Sequence, residues 1–235
     1  MPYARPHSRR GPDRRDRPWV FTGATSLAGV AGFVNVVVLG FFHVPVSHMS
    51  GAVSRAGIDI VHGDASDLRL VLWIVAGFLA GCVVCGAVIG GRKLQPGRRY
   101  GVTLWLEGAL LAAASELLLR GHPSGVPVAA MALGIQNAMA SSYYGLVIRT
   151  THVTGIVTDI GVMLGHWVRH RRTSPWKMVL LTGILLAFFT GGVLGALALD
   201  RMGMRALLLA AAGCGTAGTL YYAWMHARSR SAAGR

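Results

Sequence analysis

His48-Met49-Ser50-Gly51-Ala52-Val53-Ser54-Arg55-Ala56-Gly57 and His152-Val153-Thr154-Gly155-Ile156-Val157-Thr158-Asp159-Ile160-Gly161 are two copies of one string. Each reads His, hydrophobic, hydroxyl, Gly, apolar, Val, hydroxyl, charge, apolar, Gly. A second echo precedes each copy: Gly32-Phe33-Val34-Asn35 before the first, Gly134-Ile135-Gln136-Asn137 before the second. A third match, Phe78-x-x-Gly81 with Phe188-x-x-Gly191, follows in the same order. The chain therefore reads as two related halves, and a duplicated membrane fold places its working site where the halves meet.

The rest of the chain has the composition of a membrane protein. Apolar residues make up 53% and charged ones 14%, and the apolar ones gather in six blocks, about 19–42, 69–91, 101–119, 126–148, 176–199 and 204–225. At roughly 1.5 Å per residue, about 20 helical residues cross a hydrocarbon core of about 30 Å. Segments such as Leu70 to Gly91 are apolar all round, whereas a soluble helix would be striped. The first block exceeds a signal peptide's apolar region of about 7–15 residues, so it reads as a retained span. The expectation is an all-α polytopic membrane protein with six transmembrane helices. One membrane domain covers 19–225, between a basic, disordered tail at 1–18 and a second basic tail at 226–235. Cys82, Cys85 and Cys214 fall inside the blocks and read as small packing residues, with no metal or cofactor implied.

The net charge of +14 suggests nucleic acid until its placement is read. Of 23 Lys and Arg, 18 lie in residues 1–18, 92–99, 149–177 and 226–235, all on one side of the membrane if six spans alternate. Only Arg55, Arg69, Arg120, Arg201 and Arg205 fall on the other side. This asymmetry puts both termini in the cytoplasm. The basic tails then meet anionic lipid headgroups rather than nucleic acid. Three spans per half give the halves opposite orientation, an inverted repeat of about 19–120 and 126–225.

Each string falls just after the first span of its half, where the pattern predicts a short additional helix, 48–63 and 152–167. About 16 helical residues reach roughly 24 Å, short of a crossing, so these helices lie at the surface or dip partly inward. In the first, His48, Arg55, Asp59 and His62 share one face and Met49, Val53, Ala56 and Ile60 another. Helix N-termini attract anions. Ser50 and Thr154 suit caps or nearby donors, and Gly51 and Gly155 permit close approach of the backbone.

At these residues the chain resembles the YoaK-like, or UPF0700, membrane proteins. Gly32-Phe33-Val34-Asn35, His48-Met49-Ser50-Gly51, Ala132-Leu133-Gly134-Ile135-Gln136-Asn137-Ala138 and Thr154-Gly155-Ile156-Val157-Thr158-Asp159 carry the likeness, which runs from about residue 20 to 225. The resemblance implies a bacterial inner-membrane protein of about six spans, often described as a transporter, with no established substrate. That family commonly has an acidic residue at the place of Asn35 and Asn at that of Ala52, so site chemistry is expected to lean on the second half.

Polar groups in hydrocarbon are costly, so each marks a partner or a purpose. Asp159 is the foremost candidate, with His152, Thr154, Gly155 and Thr158 beside it. The first copy offers His48, Ser50 and Gly51. The amides Asn35, Gln136 and Asn137 lie in spans one and four. Glu107 lies in span three with no basic residue three or four positions away, whereas Glu116 has Arg120 four residues on. The expectation is a secondary transporter of a small polar or anionic solute, non-enzymatic, with its site between the halves. A non-catalytic scaffold or regulatory membrane protein is the alternative, and a membrane-embedded enzyme a weaker one. Glycine runs such as Gly77-x-x-x-Gly81 serve close helix packing and, secondarily, a homodimer.

Overall fold

The computed structural model describes residues 14–43, 45–89, 97–142, 150–171 and 173–233, with side chains of the last helix through 227. Among these residues there are eight α-helices, one 3₁₀ turn and no strand. The helices are α1 Arg17–Phe42, α2 Met49–His62, α3 Ala65–Ile89, α4 Arg98–Leu119, α5 Gly125–Ser142, α6 Val153–His170, α7 Pro175–Met202 and α8 Ala206–Ala233.

Three single helices, α1, α3 and α4, are long and apolar enough to cross a membrane, and so is the stretch Pro175–Ala227. That stretch holds two helices. Gly203 at φ 57° interrupts it, and the turn Gly203–Arg205 separates α7 from α8. The fifth, α5, has 18 residues, and the remainder of its expected block, 143–148, lies outside the described residues. The basic tail expected at 1–18 lies outside them through residue 13. The one expected from 226 instead continues α8 to Ala233. Prolines stand in the first turn of α1 and α7, where a missing N–H costs nothing.

The long helices pair α1 with α7, α3 with α5, and α4 with α8, while α5 also runs closely along α4. The short ones lie on the spans that follow them, α2 on α3 and α6 on α7. Glycines set the first two pairings. A Cβ at Gly32 would run into the Phe188 carbonyl, and one at Gly191 into the Gly29 carbonyl. Between α3 and α5, a Cβ at Gly134 would meet the Phe78 carbonyl, and one at Gly81 the Met131 carbonyl. Lipid is as apolar as leucine, so such close van der Waals contact, rather than escape from water, holds spans together. The core between them includes Val34, Val37, Leu111, Val126, Leu133 and Leu207, all fully buried. Leu72, Trp73, Leu79, Val83, Leu186 and Phe189 line the outside, as a lipid-facing surface requires.

The short helices are amphipathic, and each presents a row of apolar side chains outward. In α2, Val53, Ile60 and Val61 are exposed, while Ala52 and Asp59 are the buried residues. In α6, Val157, Leu164, Trp167 and Val168 are exposed. The interior takes Asp59 from α2, where it meets Arg55, but takes Ile156 and Met163 from α6, whose Asp159 stays half-exposed.

Candidate functional site

The two strings meet at one cavity. It has a volume of about 390 Å³, and both helix starts line it: Ser47 to Ser50 from one side, Thr151 to Thr154 from the other. Asn137, Ser141, Cys82 and Phe78 complete the wall from α5 and α3. His48 and His152 are the N-cap residues of α2 and α6, and no side-chain oxygen caps either helix. Ser50 and Thr154 therefore stand inside the first turn instead of capping it, a correction to the sequence expectation. The first backbone N–H groups of a helix have no intrahelical partner, so two positive dipole ends converge on this space.

Each approach to the cavity is held by an asparagine. The Asn35 side-chain oxygen accepts hydrogen bonds from the Ser47 hydroxyl at 2.8 Å and its N–H at 3.3 Å. Asn137 donates to the Thr151 hydroxyl, and the Thr150 hydroxyl donates to Asn137 at 3.5 Å. All five residues are buried. The chain leaving α1 and the chain entering α6 are thus pinned back onto a span, which brings His48 and His152 inward. Ser47 and Thr151 escaped the sequence reading. Their signal was a hydroxyl residue directly before the histidine in both copies.

The two histidines differ. The Ser47 hydroxyl lies 3.3 Å from His48 Nδ1, and the His48 ring meets Phe188 edge-on at 6.0 Å. Burial, and then the nearby charge of His152, hold His48 below the ordinary histidine range. The His152 ring instead folds over the first turn of α6, where a Cβ at Gly155 would strike it. Gly51 carries no such ring: its nearest neighbour would be Pro45 at 3.7 Å.

Other expected residues stand elsewhere. Asp159 is half-exposed and pairs with Lys177 of α7 at 3.0 Å, fastening α6 to the next span. Arg55 does the same for α2, bridging buried Asp59 and exposed Asp67 of α3 at 2.8 Å each. Thr158 donates back to the Thr154 carbonyl, an ordinary intrahelical bond. Gln136 donates to the Leu27 carbonyl at 2.8 Å, joining α5 to α1, and its own oxygen is unpaired. Glu107 is fully buried in α4, away from this cavity. Glu116 pairs with Arg120 as its spacing predicts.

A second, apolar cavity of about 240 Å³ lies between α1, α4, α5 and α8, lined by Gly23, Leu27, Tyr100, Leu104, Met139 and Tyr221 among others. The Trp19 ring of α1 lies 5.2 Å from that of Trp224 of α8. The α4–α5 contact is tight by comparison: a Cβ at Gly125 would lie 2.5 Å from Leu118, whereas one at Gly23 would touch nothing.

Residues 23–220 match the family described as "Protein of unknown function (DUF1275)". The chain is similar to the UPF0700 transmembrane protein RA0705 of Rhizobium meliloti (strain 1021), 31% identical over 182 residues, covering 77% of this chain and 75% of that protein. No solved structure matches. With its apolar helices and a transmembrane relative, this chain is a helical membrane protein that belongs to the DUF1275, or UPF0700, family.

Proposed function

We propose that the chain is a secondary transporter of six spans in two inverted repeats, binding a small polar or anionic solute where α2 and α6 begin. The observation that carries this reading is the convergence of both copies of the repeated string on one cavity. Its volume suits a small solute, at the lower end of ligand sites of about 300–1,000 Å³. The wall offers Ser50, Thr154, His48 and His152 as polar groups and two helix N-termini as positive ends, which favour polar or anionic guests. On this reading the protein carries out no covalent chemistry.

Three paired contacts support the inverted repeat. Asn35 with Ser47 corresponds to Asn137 with Thr151. Gly32 against Phe188 corresponds to Gly134 against Phe78. Arg55 with Asp67 corresponds to Asp159 with Lys177, with the signs exchanged. In such a repeat the α4–α5 seam is the counterpart of the α1–α8 seam. One is tight and the other parted around a cavity, as alternating access demands of any single state. In the opposite state the two seams exchange.

Reporter fusions at Gly97 and Thr173 on one side, and at Gly63 and Gly121 on the other, test the topology. The first pair should read cytoplasmic and the second external, in the bacterial inner membrane with both termini inside. The function is tested by uptake into liposomes containing purified protein, across a panel of small polar and anionic solutes, with and without a proton gradient. Ser50→Trp or Thr154→Trp fills the cavity and should abolish any uptake found. Uptake that persists in both variants would remove this cavity from the path, and a panel that stays outside would overturn transport of this solute class.

A further inference from the structure

Glu107 is the one carboxylate among the described residues that is fully buried. It is the tenth residue of the 22-residue α4, roughly 14 Å from the helix start at about 1.5 Å per residue, and so near the middle of a span. Neither carboxyl oxygen has a nitrogen or oxygen hydrogen-bond partner, and it makes no ion pair, among the described residues. The titratable groups that face it are the Cys214 thiol from α8 and, more remotely, Cys85 from α3. A thiol is only a weak donor and acceptor. Beside it, Gly108 brings α4 so close to α8 that a Cβ would lie 2.8 Å from the Ala211 carbonyl.

An ionised carboxylate cannot be held in such surroundings, because nothing there replaces its hydration. A purely structural glutamate would pin two helices by a strong hydrogen bond, and here only the weakly bonding Cys214 thiol stands beside it. Leucine or methionine would fill the same space with no polar cost. A carboxyl with only a thiol beside it in an apolar place is suited to one ligand, the proton. Leu104, one turn away on the same face, lines the apolar cavity that parts α1 from α8, with Tyr221 of α8 opposite.

We propose that Glu107 is an exchangeable proton-binding site in the middle of the membrane. The carboxyl holds its proton in this state. When α8 shifts off α4 the cavity reaches it, the O–H proton passes to water, and the carboxylate later recovers a proton from water. If the protein transports as argued above, this is the coupled proton, but the site itself needs only that α4 spans the membrane.

The test is infrared spectroscopy of the full chain in lipid nanodiscs at neutral pH. The wild-type spectrum should contain the C=O band of a protonated carboxyl that Glu107→Gln lacks, and the band should shift in D₂O as the proton exchanges. If Glu107→Gln fails to fold, dicyclohexylcarbodiimide, a membrane-soluble reagent for protonated carboxyls, replaces it. Peptide mapping of the wild-type protein should then locate the label on Glu107 and not on the ion-paired Glu116. A carboxylate band at neutral pH that Glu107→Gln loses, a protonated band that does not move in D₂O, or a label that bypasses Glu107 each overturns the proposal. None of these readouts uses a solute, so a failed uptake panel leaves them unchanged, and their failure leaves the uptake result standing.

Discussion

Substituting Ala for Gly32 or Gly134 perturbs the two contacts on which the α1–α7 and α3–α5 pairings rest. In both cases the new methyl would overlap a backbone carbonyl, Phe188 or Phe78, which cannot rotate away as a side chain can. Restoring ordinary contact moves each helix pair apart by roughly 1 Å, and a gap of that size forfeits about a quarter to a half of each dispersion contact nearby. Overpacking of this kind costs about 1–3 kcal/mol. Against it stands a gain of up to about 1 kcal/mol in helix propensity. The net loss should be about 1–2 kcal/mol, similar for the two variants because the contacts are alike. Gly86→Ala and Gly213→Ala are the controls: they sit in α3 and α8 with nothing within 4 Å, and so keep the propensity gain. Thermal unfolding in detergent, followed by tryptophan fluorescence, ranks all four. If Gly32→Ala and Gly134→Ala unfold no earlier than the controls, close glycine packing does not hold these helices.

Three further outcomes follow from the cavity. Asn137→Ala strips the buried Thr150 and Thr151 hydroxyls of Asn137, and Asn35→Ala leaves the Ser47 hydroxyl with only His48 Nδ1; each should cost about 1–3 kcal/mol in the same assay. Gly155→Ala should displace the His152 ring while Gly51→Ala leaves His48 in place, read as a changed imidazole signal in NMR of isotope-labelled histidines. His48 has a lowered affinity for protons in the fold, so the unfolded chain binds more protons than the native one as pH falls. Its contribution to stability is therefore complete above the ordinary histidine range and is lost on acidification through it. His48→Gln should flatten that pH dependence, and an unchanged slope would show that another group sets it.

Much of the fold was legible because a membrane span is encoded locally, by length and unbroken apolarity. The short helices were legible too: expected at 48–63 and 152–167, they run Met49–His62 and Val153–His170. What each helix touches was not. Helical spacing placed Asp59 and Arg55 on one face, but not that Asp59 is buried while Arg55, Val53 and Ile60 stay exposed. Asp159 stood foremost among the candidate residues, and its partner, Lys177, was not legible because it stands across a connection in another helix. The opposite error attends Glu107, for which an unseen partner on another helix was an equally fair reading until the neighbours were known. The cavity was half legible: His48, Ser50, His152, Thr154 and Asn137 line it, while Cys82, Phe78 and Ser141 join only through the packing of α3 and α5.

The exchanged signs of the two ion pairs have a physical reason and a consequence. In the proposed topology α3 begins outside and α7 inside, and the inner face favours Lys and Arg. The start of α7 accordingly carries Lys177, and α6 must answer with Asp159, whereas the start of α3 carries Asp67 and α2 answers with Arg55. The helix dipole treats these arrangements differently. Asp67 lies in the first turn of α3, where a negative charge gains about 0.3–1 kcal/mol, while Lys177 in the first turn of α7 loses a similar amount. Asp159 and Lys177 are both half-exposed, so their attraction is worth at most about 1 kcal/mol and the dipole can cancel most of it. Arg55 is additionally anchored by buried Asp59. The fastening of α6 should therefore be the weaker of the two, in keeping with its sparser contact with α7 than that of α2 with α3. Asp67→Ala should lower the unfolding temperature more than Lys177→Ala, and amide hydrogens of α6 should exchange faster than those of α2. Equal exchange in the two helices would mean that the sign of the pair has no bearing on how firmly either short helix is held.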